Sequence, residues 1–315
     1  MKDFIFSLNA TMPVFLLMAL GFIFNKIGAI DENFANKLNN FVFKISLPIL
    51  LFRDLSVSNF IEVWDGKFVL FCFLATFFSI IIMMISSKLL KDKDIRGEFI
   101  QGGFRSSAAL LGSVYIQNIY GKSGAVSLMI IGAVPLYNIT SVIVLMLMKP
   151  GNNQKLDKTR IVKTLKGIMK NPIILGILVG ILWSLFRIPQ PFIMKKTIAS
   201  MAGLASPLGL LALGASFNLK EVFLQIKPTL AASTFKLAIF VAIFLPVAII
   251  LGFRTDKLIA ALVMLGGAST VTSYTMAKSE GHHGAVSAGV VMFTTIMSVF
   301  TLTGWIYLLK IFNLI

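Results

Sequence analysis

Apolar residues in this chain fall into long runs, broken by short clusters of charge, glycine or proline. A run of about 20 apolar residues is long enough to cross a hydrocarbon core as a helix. The pattern predicts ten such spans, at about 4–24, 34–53, 66–88, 98–119, 123–148, 171–187, 192–218, 226–252, 257–278 and 284–309. A period of 3.6 residues is weak in most of them, as expected where one face meets lipid and the other a neighbouring helix. The fold class expected is therefore all-α integral membrane.

Composition agrees: 57% of the 315 residues are hydrophobic and 13% charged, with a mean hydropathy of +0.88, which excludes a soluble domain. The formal net charge of +16 would suggest nucleic acid in a soluble protein, but in a membrane protein it reads as basic cytoplasmic loops. Counting span ends with the adjoining connection, sixteen Lys and Arg residues fall in odd-numbered connections and ten on the other side. That bias places odd connections in the cytoplasm and both termini outside. The segment 149–170 carries Lys149, Lys155, Lys158, Arg160, Lys163, Lys166 and Lys170 against Asp157 alone, which suits a topology determinant touching lipid headgroups. Cys72, the single cysteine, lies in an apolar run, excluding disulfides and Cys-based metal sites. The first apolar run lacks a basic lead and a small-residue cleavage site, and is expected to be retained.

Sliding the chain against itself exposes a repeat. At an offset of 159, Pro13 falls on Pro172, Gly21 on Gly180, Lys37 on Lys196 and Pro48 on Pro207; at 160, Gly124-Ala125-Val126-Ser127 falls on Gly284-Ala285-Val286-Ser287. The halves expected are 1–148 and 171–315, joined by the basic loop and amphipathic lead-in at 149–170. Five spans is an odd number, so consecutive units enter the membrane from opposite sides and form an inverted pair, the architecture of secondary transporters.

Such folds bind substrate where corresponding helices of the two halves are broken. Spans 4 and 9 fit best: Gly102-Gly103-Phe104-Arg105-Ser106-Ser107-Ala108-Ala109-Leu110-Leu111-Gly112-Ser113, and Gly266-Gly267-Ala268-Ser269-Thr270-Val271-Thr272-Ser273-Tyr274. The register superposes Ser106-Ser107 on Gly266-Gly267 and Ser113 on Ser273. Close helix packing through small residues is the competing account. Arg105 is either the cationic partner of an anionic substrate or a side chain snorkelling to the headgroups. Lys44 and Lys236 are expected to snorkel or pair helices.

All thirteen acids are assigned to loops or span ends, which disfavours proton or sodium coupling through an intramembrane carboxylate. Without HExxH and without a buried acid or His to act as base, a membrane hydrolase is disfavoured too. His282 and His283 are adjacent, not the i, i+4 pair of a helical metal site, and are expected at a loop end.

The segments "SLPILLFRDLS" (46–56), "FRSSAALLG" (104–112), "VPLYNITSVI" (134–143), "KNPIILGILVGILW" (170–183) and "GLASPLGLLALGASFNL" (203–219) resemble the auxin efflux carrier family, which includes plant auxin carriers and bacterial malate or malonate permeases. The resemblance implies a fold like that of bile acid symporters and sodium/proton antiporters. Spans 1, 2, 6 and 7 would form a scaffold, with a homodimer through helices 2 and 7; spans 3–5 and 8–10 would form a mobile transport unit, with crossed broken helices 4 and 9. Asn138 matches the family pattern and is carried over as a polar lining residue. Where the family usually has Asn in the first crossover this chain has Ser107, and where it usually has Pro in the second it has Ala268.

The function expected is an elevator-like carrier of a small organic anion, a carboxylate, in a bacterial cytoplasmic membrane, with no enzymatic activity, cofactor or metal. Arg105, Ser106, Ser107, Gly112, Ser113, Asn138, Gly266, Gly267, Ala268, Ser269, Thr270 and Ser273 would hold the substrate, and Ser46, Pro48, Ser206 and Pro207 would line the scaffold side. A sodium-coupled symporter and a non-transporting membrane sensor are the alternatives.

Overall fold

A computed structural model describes residues 16–56, 65–108, 116, 124–150, 170–216 and 223–315, and among them there are helices and no strands. In chain order the helices are α1 (Leu16–Lys26), α2 (Glu32–Phe41), α3 (Leu47–Ser56), α4 (Gly66–Ser86), α5 (Arg96–Phe104), α6 (Gly124–Leu147), α7 (Pro172–Leu185), α8 (Phe192–Gly203), α9 (Ala205–Ala215), α10 (Ile226–Thr234), α11 (Phe240–Ile250), α12 (Thr255–Gly266), α13 (Thr272–Ser279) and α14 (Ala285–Ile311). Among the described residues, five stretches are long and apolar enough to cross a membrane: Gly66–Leu89, Leu128–Leu147, Phe192–Ala215, Ile226–Ile250 and Ala285–Ile311.

Short polar residues between the apolar runs start the helices. The Asp31 side chain accepts from Phe34 N–H, Asp65 from Phe68 N–H, and Asn171 from Ile173 N–H ahead of Pro172, each satisfying a donor that a helix start leaves free. Leu70, Phe73, Leu74, Phe77 and Phe78 on α4 are exposed, as a lipid-facing surface requires.

Spans expected to be continuous are interrupted. A π-helical turn, Val42–Ser46, joins α2 to α3, and Leu204 separates α8 from α9. Pro48 and Pro207 follow these irregularities and have no N–H to give the carbonyls of Lys44 and Gly203, so the regular ladder fails one turn earlier. A second π-helical turn, Phe235–Ile239, joins α10 to α11. The deepest interruptions lie between α5 and Ala108 and between α12 and α13.

Glycines set two close crossings. A side chain at Gly21 of α1 would collide with the Leu211 backbone of α9, and one at Gly180 of α7 would press tightly on Phe52 and Leu55 of α3. The core packs α4, α5, α6, α12 and α14 together through residues such as Phe68, Ile100, Met129, Leu262 and Val290.

Candidate functional site

Residues Arg105–Ser107 leave the helix after α5, with Arg105 extended, and Gly267–Val271 carry the chain from α12 to α13. The breaks meet. Ser107 N–H donates to the Ala268 carbonyl at 2.9 Å, and the Ser106 hydroxyl donates to the Val263 carbonyl at 3.0 Å. Gly267 fits because a side chain there would press on Val263 O and Ser106 Oγ. The first bond gives a donor to the Ala268 carbonyl, which lies in the linker outside either helix, and the second adds Ser106 to a Val263 carbonyl that also accepts from Gly267 N–H.

Arg105 does not snorkel: it is 1% exposed. Its Nη2 donates to Asn138 Oδ1 at 2.9 Å and to Thr272 Oγ1 at 2.6 Å, its Nη1 to the Met276 sulfur, and its guanidinium carbon lies 5.5 Å from the Tyr137 ring centre. Asn138 is held in turn by donating to Val134 O. No carboxylate pairs with Arg105 among the described residues. Its Nε, together with Ser269 Oγ, Ser273 Oγ and Gln101 Oε1, is buried without a hydrogen-bond partner. Three donors and an uncompensated positive charge thus remain around the second break, with Thr272 opening α13 beside them. An anion with oxygen acceptors complements that set, because the α13 amino end also carries partial positive charge.

The other expected residues separate into those the crossing gathers and those it does not. Ser269 N–H donates to Thr294 Oγ1, the Thr270 and Thr272 hydroxyls lie 3.1 Å apart, and the Ser273 carbonyl accepts from Gln101 Nε2. Gly266 instead faces Val241. On the scaffold side, Pro48 packs on Gly176 rather than the breaks, Ser46 is buried, and Pro207 is half-buried. The Ser206 side chain, Gly112 and Ser113 lie outside the described residues. The helices α2 and α9 meet this region through Asn39, whose Oδ1 accepts from Thr275 of α13, and through Gly209, which packs on Val271 just before it. Asn39, Gln101, Thr272, Tyr137 and Met276 were not expected here. Gln101, one turn before Arg105, was the signal available.

Two further corrections concern buried ionisable groups. Glu98, in the first turn of α5, and His282, outside helix ahead of α14, sit at the span end and loop end expected, but both are buried, where no buried acid or His was expected. Glu98 accepts from Gly284 N–H at 2.8 Å and Ser287 N–H at 2.9 Å, capping α14, and His282 Nε2 bonds the Leu145 carbonyl. Both are thus engaged with helix ends. Lys44 is exposed, whereas Lys236 is 1% exposed and donates to the Met264 carbonyl at 2.7 Å, pairing two helices. Beside it is a cavity of about 10 Å³ lined by Thr76, Ser79, Phe104, Tyr137, Phe240, Met264 and Leu265, room for about one water.

A protein of Rhizobium meliloti (strain 1021) that carries the provisional name malonate transporter is 20% identical over 303 residues, covering 95% of this chain and 94% of the relative. The solved structure of the sodium proton antiporter from Methanocaldococcus jannaschii at pH 8 matches with a TM-score of 0.59 at 16% identity, covering 91% of each chain, so the two share a fold. The family described as membrane transport protein matches residues 6–306. Its span takes in both breaks and all but the end of the last apolar stretch above, and the chain belongs to this family of membrane transport proteins, the auxin efflux carriers.

Proposed function

We propose that the protein is a secondary carrier of a small carboxylate, working by alternating access around the crossed breaks in a bacterial cytoplasmic membrane, both termini outside. The observation that carries this is Arg105, a guanidinium buried with no carboxylate to balance it among the described residues. Leaving such a charge unpaired costs several kcal/mol, which a bound carboxylate would offset. Ser269 Oγ, Ser273 Oγ and Arg105 Nε are the donors left to receive it. The R. meliloti relative's name supports malonate as the first substrate to test.

Ten spans in two inverted halves, moving as scaffold and transport unit, are supported by pairs of contacts that exchange under the repeat. A shift of 159 carries Gly21 onto Gly180 and Phe52 onto Leu211, so the crossing of α1 with α9 becomes that of α7 with α3. A shift of 160 carries Phe104 onto Met264 and Thr76 onto Lys236, all lining one cavity, as residues around a two-fold axis would.

Uptake of labelled malonate by proteoliposomes tests the proposal. Arg105→Met should reduce uptake by about 100-fold or more, the equivalent of losing one buried charge pair, and Arg105→Lys should retain part of it. Uptake undiminished in Arg105→Met would remove Arg105 from the site and the carboxylate with it.

A further inference from the structure

Lys236 is the eleventh residue of the apolar stretch Ile226–Ile250. At 1.5 Å per residue its Cα lies about 15 Å from one end and about 21 Å from the other, well inside a hydrocarbon core. An ammonium there cannot reach headgroups, and no carboxylate pairs with it among the described residues. It sits in the π-helical turn Phe235–Ile239, a widened turn of the kind frequent at functional sites.

What it contacts is the carboxyl end of α12. The break after Gly266 frees the last carbonyls of that helix, which carry partial negative charge. Val263 O is taken by Gly267 N–H and Ser106 Oγ, and Met264 O is taken by Lys236 Nζ. The ammonium spends one of its three N–H groups on that bond. The cavity beside it adds the hydroxyls of Thr76 and Ser79, whose protons point to Met264 Sδ and Ala75 O and leave oxygen lone pairs free. A carbonyl and two hydroxyls make the neutral-oxygen surroundings a small monovalent cation takes. The position already holds a cation on a tether, and about one water's room remains.

We propose that the Lys236 ammonium stands in for a coupling cation at the crossing, so that the transport cycle proceeds without binding sodium. The positive charge that stabilises the exposed α12 end travels with the protein and is never exchanged with solvent. The repeat places neutral Thr76 where the other half has Lys236, so one such charge serves both halves. The proposal builds on the carrier reading, and its primary test needs no substrate.

Thermal unfolding of the detergent-purified protein is followed in sodium, in methylammonium and in choline, which is too large for the position. The wild type should melt at the same temperature in all three. Lys236→Ala should melt several degrees lower in choline and recover saturably with methylammonium or sodium. Lys236→Met, whose thioether fills the same space without charge, should melt lower and respond to neither; it and the wild type keep the test open if the alanine variant does not fold. Saturable stabilisation of the wild type by sodium would overturn the proposal, as would a Lys236→Ala protein that melts like the wild type or that no cation restores. Malonate uptake by the wild type should be equal in sodium and choline. Uptake absent in both would sink the carrier reading and leave the melting result standing on its own.

Discussion

The backbone N–H of Ser107 donates to the carbonyl of Ala268 at 2.9 Å, tying two interrupted spans at the point where neither has a helix of its own. At this depth no solvent replaces a lost partner. Ser107→Pro removes the donor and should lower stability by about 1–3 kcal/mol, seen as a lower melting temperature in detergent. Ser107→Ala keeps the N–H and should melt close to the wild type. Equal melting of both variants would show that the bond contributes nothing.

The two glycine crossings should both fail. Gly21→Val drives a side chain into the Leu211 backbone and Gly180→Val presses one on Phe52 and Leu55, and each should cost about 1–3 kcal/mol through overpacking, the first more than the second. The monodisperse fraction by size-exclusion chromatography should fall for both. Gly304 has open space around it, and Gly304→Ala should leave that fraction unchanged.

Glu98 should behave as a structural cap. Glu98→Ala leaves Gly284 N–H and Ser287 N–H buried without their acceptor, a loss of about 2 kcal/mol or more for hydrogen bonds to a charged group. Glu98→Gln keeps one acceptor and should lose less. Melting temperatures of the two variants, ranked in the reverse order, would exclude the capping role.

Asp65 joins the start of α4 to α12 through Lys257, 2.6 Å away. The hydrogen bond from Lys257 is the main reason its carboxyl is held below the usual 3.8. A group so lowered contributes stability that is present above its unfolded value and lost as pH falls through the folded one. The melting temperature of Asp65→Asn should therefore fall below the wild type's at neutral pH and converge with it below about pH 4. A constant gap across that range would dissociate the pair from the pH response.

The interrupted spans were legible because glycine and hydroxyl residues interrupt otherwise apolar runs, and a register of 160 aligned Ser106-Ser107 with Gly266-Gly267 before any contact was known. The partners of Arg105 were not legible. Thr272 and Met276 lie one turn apart on α13, 167 and 171 positions away, and only the crossing aims that face at the guanidinium. Glu98 was assigned to a span end because apolar runs mark where a helix enters the membrane but not what covers its first turn. Here the start of α14, 186 positions later, closes over it. For Lys236 the sequence left snorkelling and helix pairing open, since a lone lysine in an apolar run has the same local sequence whether it meets headgroups or a distant carbonyl, and the bond to Met264 O decides for pairing.

The glycine crossings also bear on how the chain is made. Gly21 is finished by Leu211 and Gly180 by Phe52, so each half supplies the wall that the other half lacks. Synthesis runs from the amino end, and α1 enters the bilayer long before α9 exists. The close α1–α9 crossing can therefore form only once the second half has been made, however early α1 is inserted.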